Sequence, residues 1–279
     1  MNRRTFLKSA AAGLAAGVTA TACYGFAEAG GFEVTRPSLA MPCLPTAFDG
    51  LRVALVTDIH HGPYTDLPFV RSVVRATLAL RPDLVVLGGG YTLRERKYVR
   101  PVFEVLAGLT APLGVFGVLG NHDHAIGADE TRREMRRAGV RELTNTGLWL
   151  MRGGERLRLA GVDDLWWGRP DAADALGNAT ADDACLLVSH NPDFAETLQD
   201  RRVGLVLSGH TRGGQVQAGG MTNPFLPSRY GDKYAQGLVD APATRVYVSR
   251  GLGTAGLPVR YNCPPELTLL TLRTPVAGV

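Results

Sequence analysis

Arg52-Val53-Ala54-Leu55-Val56-Thr57-Asp58-Ile59-His60-His61-Gly62-Pro63 is the stretch that decides how this chain folds. Its apolar run has no polar alternation, the mark of a strand buried on both faces. The run ends in a carboxylate and two imidazoles, and Gly62-Pro63 then breaks it. The same order recurs twice. Asp83 to Leu87 runs into Gly88-Gly89-Gly90, and Leu113 to Leu119 runs into Gly120-Asn121-His122-Asp123-His124. Helical patterns separate these strands. Asp66 and Pro68 open the first, where Leu67, Val70, Val74, Thr77 and Leu78 share a face. A second is expected over Glu95 to Leu109, with an irregularity at Pro101, and a third over Asp129 to Ala138. A βαβαβ order predicts a parallel or mixed sheet covered by helices.

The second half is richer in short strands. These are expected at Leu148 to Met151, Leu157 to Val162, Leu186 to Ser189, Val203 to Ser208, Arg245 to Ser249 and Leu267 to Leu272, with a helix from Pro192 to Leu198. Two packed sheets with helices outside accommodate this list. A body of about 230 residues is long enough to bury one substantial core. Pro37, Pro42 and Pro45 mark residues 30–50 as an extended linker, which places the domain at 51–275.

Composition narrows the class. With 45% hydrophobic and 20% charged residues, the chain is neither disordered nor fibrous. Arg3, Arg4 and Lys8 carry three of its four net positive charges, and no acid accompanies them in the first 22 residues. The nearly neutral remainder gives no reason to expect a nucleic-acid partner. Residues 1–29 read as a targeting segment, with a basic head before an uncharged run from Ser9 to Ala27. The arginine pair before Phe6-Leu7-Lys8 resembles a twin-arginine signal. That resemblance implies the twin-arginine export machinery as a partner and a periplasmic destination. The body would be either soluble after cleavage at Ala20-Thr21-Ala22 or tethered to the membrane by one N-terminal helix.

The histidines are the most informative side chains. All six (His60, His61, His122, His124, His190 and His210) lie just beyond an apolar strand, in polar or glycine-rich segments that also hold Asp58, Asn121 and Asp123. Ligands of open α/β folds gather at such strand ends. Imidazole and oxygen donors together suit Mn, Zn or Fe. A buried hydrogen-bonding role stands as the alternative for each histidine taken alone.

Thr57-Asp58-Ile59-His60, Gly120-Asn121-His122-Asp123, Ser189-His190-Asn191-Pro192, Gly209-His210-Thr211 and the tail Ser249 to Thr254 with Asn262 to Glu266 resemble the calcineurin-like metallophosphoesterases, over roughly Leu51 to Arg273. The resemblance implies an α/β fold, a four-layer α/β/β/α sandwich of two mixed sheets. It also implies a two-metal hydrolase of phosphate mono- or diesters, acting on a small phosphorylated molecule or a phospholipid-like substrate. It places Asp58 and His60 on one metal, and Asn121, His190 and His210 on the other. His122 would contact the phosphate or leaving group, and Asp123 would orient it.

Two positions depart from the family pattern. Gly90 stands where the family has a metal-bridging Asp, and Arg212 where it has a second His. Two divalent ions about 3.5 Å apart repel by roughly 19 kcal/mol at an effective dielectric of about 20. This chain offers one carboxylate and adds a cation, so the expectation is one divalent ion rather than two, or none. Three outcomes follow from that. The chain is a weak hydrolase with an impaired site, an inactive phosphate- or anion-binding module using Arg212, or a scaffold. Among smaller features, His61, His124, Asp163 and Trp166 are candidates for the pocket wall. Cys43 and Cys263 are a conceivable disulfide, and Cys185 reads as a buried hydrophobe.

Overall fold

A computed structural model describes residues 23–217 and 226–275. Its strands are β1 (Glu33–Thr35), β2 (Ser38–Ala40), β3 (Leu51–Val56), β4 (Leu84–Leu87), β5 (Val115–Gly117), β6 (Arg141–Glu142), β7 (Thr146–Arg152), β8 (Glu155–Gly161), β9 (Cys185–Val188), β10 (Val203–Ser208), β11 (Gly237–Asp240), β12 (Arg245–Val248) and β13 (Glu266–Arg273). The helices are α1 (Leu67–Ala79), α2 (Val99–Leu106), α3 (Asn121–Arg137), α4 (Ala172–Leu176) and α5 (Phe194–Thr197).

These form two mixed sheets. One runs β1-β13-β3-β4-β5-β6, with β2 also on β13, and the other runs β11-β12-β10-β9-β8-β7. The apolar runs read from sequence are the central strands. β3, β4 and β5 pair in parallel, as do β8, β9, β10 and β12, because helices or long connections return the chain between them. One core lies between the sheets, with Phe48, Leu55, Leu186 and Leu205 fully buried in it. A second seats Val73, Val102, Leu106 and Met135 of α1–α3 on the first sheet. A third seats Leu176 and Phe194 of α4 and α5 on the other. The result is an α/β/β/α sandwich.

The differences from the sequence reading have local causes. Residues 30–50 are extended up to a 3-10 turn at Thr46–Phe48, but they belong to the sheet, since β1 and β2 both pair with β13. α2 is shorter than expected because a 3-10 turn, Arg96–Tyr98, occupies its start. α3 begins eight residues earlier than expected, at Asn121. It tolerates a break at Gly127, whose φ of 148° only glycine adopts readily. The membrane tether, one of the two outcomes expected for the N-terminal segment, finds no support in the structure. Among the described residues no helix is long and apolar enough to cross a membrane. The arginine pair and Ala20-Thr21-Ala22 lie outside the described residues. Residues 23–29 are helical, and the N–H of Arg260 donates to the carbonyl of Gly25. Cys43 and Cys263 do not pair. The first is exposed, the second buried, and both are free thiols.

The first sheet is tied to the C-terminal loop by Glu266, which is 2% exposed. It accepts from Thr35 Oγ1 (2.5 Å), Tyr247 OH (2.7 Å), Thr268 Oγ1 (2.8 Å) and Arg250 N (3.0 Å), and pairs with Arg250 Nε at 3.1 Å. Burial pushes its pKa up, but these donors overcome burial and hold the carboxyl below the usual Glu range. A depressed folded-state pKa adds stability that is complete above the unfolded value of about 4.3 and is lost as pH falls through the folded one. Glu266→Gln is therefore expected to cost about 2 kcal/mol at pH 7 and much less at pH 3, read by urea unfolding at both pH values. An equal cost at the two would refute it.

Candidate active site

The loops after β3, β4, β9 and β10 meet the N-terminus of α3 at one end of the sandwich. The backbone there is unusual. Asp58 (φ 52°), His60 (50°), His210 (69°) and Arg212 (53°) are all left-handed. Such strain in non-glycine residues is characteristic of functional sites. Glycines allow the close packing. A Cβ on Gly89 would stand 2.6 Å from the amide nitrogen of Gly120.

The structure brings Asp58, His60, Asn121, His122, His190, His210 and Arg212 together. His190 Nδ1 lies 2.8 Å from the carbonyl oxygen of Gly88, which can only accept, so Nδ1 carries a proton, and in the neutral tautomer this leaves Nε2 as the ring's free lone-pair donor atom. That lone pair faces Asn121 Oδ1 at 3.1 Å and His210 Nδ1 at 3.3 Å. In that tautomer two acceptor atoms face each other between Asn121 and His190. Burial drives the pKa of His210 well below the usual range, so its ring is neutral.

A second cluster lies around Asp58, which is fully buried. Its Oδ2 accepts from Thr57 Oγ1 and from the backbone N–H of His210, both at 2.8 Å. Its Oδ1 faces His60 Nε2 at 3.3 Å and Arg212 Nη1 at 3.4 Å. Burial opposes the charge on Asp58, but the adjoining His60 ring and the Arg212 guanidinium outweigh it and hold the carboxyl well below the usual carboxylate range. Neither ring nitrogen of His60 has a well-formed hydrogen bond, and burial lowers its pKa to about 4. His122 stands edge-on to His60, ring centroids 4.8 Å apart, and burial lowers its pKa to about 3. Arg212 is itself buried, and its Nε donates to Gln215 Oε1 at 3.2 Å. A Cβ on Gly90 would stand 3.1 Å from both Asp58 Cα and His60 Nε2, so a side chain at 90 would start into this cluster.

Other candidates sit differently. Asp123 accepts from the backbone N–H groups of Gly90 (2.7 Å), Gly120 (2.8 Å) and Tyr91 (3.0 Å), which ties the β4 loop to the start of α3. No hydrogen bond joins it to His122. Burial raises its pKa to about 6 against those three donors. His61 is turned away, its Nδ1 2.7 Å from the carbonyl oxygen of Thr65. His124 Nε2 pairs with Asp163 Oδ1 at 2.8 Å. Trp166 does reach the site. Its ring stands edge-on to His210 with centroids 4.4 Å apart.

Two residues escaped the sequence reading. Gln215 Oε1 accepts from both Arg212 Nε and the N–H of Ala255. Arg260 is fully buried behind Arg212, donating to its carbonyl at 3.2 Å. The spacing of Gln215 from Arg212 was a usable signal. Nothing local marks Arg260.

Comparison with known proteins identifies the family. The family model described as calcineurin-like phosphoesterase matches residues 51–212. The chain belongs to the calcineurin-like phosphoesterase family. It is 33% identical over 282 residues to the uncharacterized metallophosphoesterase YkuE of Bacillus subtilis, covering 98% of each chain. It is 30% identical over 280 residues to the phosphodiesterase YaeI of Escherichia coli, covering 98% of this chain and 99% of that one. Among solved structures, the 5'-nucleotidase precursor of Thermus thermophilus aligns with a TM-score of 0.48 at 12% identity, over 80% of this chain and 54% of its own. Nothing in the fold or in these comparisons supports an export leader or a periplasmic destination.

Membership implies a metal-dependent site, and the residues present fit it only in part. Donor atoms sharing one ion at roughly 2.1 Å lie about 3.0–3.4 Å from each other. Asn121 Oδ1 and His210 Nδ1 each stand at that spacing from His190 Nε2. The Gly88 carbonyl on the far side of His190 is the usual support of a ligating imidazole. The Asp58 cluster does not fit a second ion. Gly90 supplies no donor, and a guanidinium already faces the carboxylate. Among the described residues no group of three or more His, Cys, Asp or Glu is placed to hold a metal; the third donor beside His190 and His210 is the Asn121 amide.

Proposed function

We propose that the chain binds phosphate mono- or diesters at this site and hydrolyses them slowly. One divalent ion is held by Asn121, His190 and His210, and the Arg212 guanidinium takes the place of a second. The observation that carries this reading is Arg212 Nη1 at 3.4 Å from Asp58 Oδ1, inside the buried cluster. When bound, the ion polarises a phosphoryl oxygen. Arg212 supplies a fixed, forked cation for the phosphoryl group, and the Asp58 carboxylate and Gln215 amide hold that fork in place. His122, beside His60 at the rim, contacts the phosphoryl or leaving oxygen. Asp123 acts on the scaffold, by fixing the loop that carries Gly90. The absence of a three-residue His/Cys/Asp/Glu set among the described residues favours a second reading, in which the same pocket binds the anion without cleaving it.

Inorganic phosphate binding to the full chain tests the proposal. Arg212→Met is expected to weaken it roughly 10- to 100-fold, with partial recovery in Arg212→Lys, since a charged hydrogen bond to phosphate is lost and then partly restored. Equal affinity in wild type and Arg212→Met, both folded by circular dichroism, would reject it. Hydrolysis of an aryl phosphate with Mn and then with a chelator separates the two readings. A slow rate that the chelator abolishes is expected here, and binding with no rate selects the second.

A further inference from the structure

Beside the site lies a groove of about 380 Å³ lined by Leu165, Trp166, Asp193, Thr197, Arg229 and Tyr230. Trp166 belongs to both places, because it lines the groove and its ring meets His210. A phosphoryl group held near His210 would therefore lie beside the groove's edge. The groove is of ligand size and largely pre-formed. Asp164, 1% exposed, accepts from the N–H groups of Trp166 and Trp167, both at 2.9 Å. Asp163 accepts from Arg169 N and pairs with His124 of α3, so both ends of the tryptophan loop are tied down. On the other side, the buried carboxylate of Asp193 accepts from Ser228 Oγ (2.6 Å) and Arg229 N (2.7 Å), which positions Tyr230. Despite this rigid support, Trp166 and Tyr230 remain 41% and 43% exposed.

We propose that this groove holds the organic part of the phosphoester and selects a planar aromatic group. The inference rests on the phosphoester reading above and adds the substrate class. Fixed, exposed aromatic rings offer stacking faces that reward flat groups. An acyl chain would instead lay its methylenes across the exposed Arg229, whose charge it cannot partner.

Calorimetric titration of the full chain with inorganic phosphate, butyl phosphate and 1-naphthyl phosphate tests the inference. In wild type, 1-naphthyl phosphate is expected to bind at least tenfold more tightly than butyl phosphate. Trp166→Ala and the surface variant Tyr230→Ala are each expected to lose at least fivefold more affinity for 1-naphthyl phosphate than for inorganic phosphate. Trp167→Ala, 60% exposed and outside the groove, should match wild type. Equal or tighter binding of butyl phosphate would overturn the inference alone, as would variants that weaken all three ligands alike. Failure of wild type to bind inorganic phosphate would defeat the phosphoester reading and this inference with it.

Discussion

Placing Asp at position 90 and His at position 212 together is expected to raise phosphodiester hydrolysis in Mn by roughly 10²–10³-fold over wild type. Each single change leaves an obstacle in place. Gly90→Asp alone sets a second carboxylate against Asp58, with a would-be Cβ 3.1 Å from its Cα, while the guanidinium still fills the cluster. It also forces a non-glycine residue to a φ of 71°, which costs about 1–2 kcal/mol. Arg212→His alone strips the buried Asp58 of its cation without providing a bridging donor. Together the changes supply two carboxylates and remove the competing charge, which is what two neighbouring divalent ions require. Histidine also tolerates the left-handed backbone at 212. Initial rates on an aryl phosphodiester for all four proteins provide the check. A single variant as fast as the double would contradict the argument, as would a wild type that already turns over at the double's rate.

Arg260→Ala is expected to be the most destabilising point change in the domain, by about 4 kcal/mol or more. The side chain is wholly buried, and no carboxylate pairs with it among the described residues. Burial pulls its pKa down to about 10, so it remains cationic at neutral pH. Its charge is met by five main-chain carbonyls, those of Arg212, Arg250, Gly251, Gly253 and Cys263. Removing it leaves those acceptors buried and opens a cavity. The damage reaches the site, because the loop it holds backs the loop of Asp58. The N–H of Leu252 donates to Thr57 O, and that of Gly253 to Asp58 O. Arg260→Lys should recover little, since a point charge with three donors does not span the fork. Urea unfolding of both variants measures this, and a loss under 1 kcal/mol would show that the buried fork is dispensable.

The fold was legible where apolar runs end in glycine or histidine, because a buried strand has no polar alternation to obscure it. β3, β4, β9 and β10 were read that way. β1 and β2 were not, since three residues in a proline-rich stretch carry no periodic signal and gain their pairing only from β13. The start of α3 was misplaced because Asn121 to His124 look like loop residues, yet Asp123 caps Gly120 and fits the first turn. In the site, the departures at 90 and 212 were visible only through the family resemblance, and the approach of Arg212 Nη1 to Asp58 Oδ1 depends on a left-handed backbone at both residues that the sequence does not reveal. The same resemblance misjudged Asp123, because three backbone donors compete for a carboxylate that the motif alone assigns to His122. His61 and His124 share the strand-end pattern, but nearby partners at Thr65 and Asp163 hold them.

The claim beneath all of this is that a guanidinium sits where a second ion would otherwise be held. Metal content per chain, measured on the unmodified protein after equilibration with excess Mn and removal of free ion, tests it most directly. The expected value is at most one ion per chain, rising to two in the Gly90→Asp/Arg212→His protein. Two tightly held ions in the unmodified chain would contradict the account.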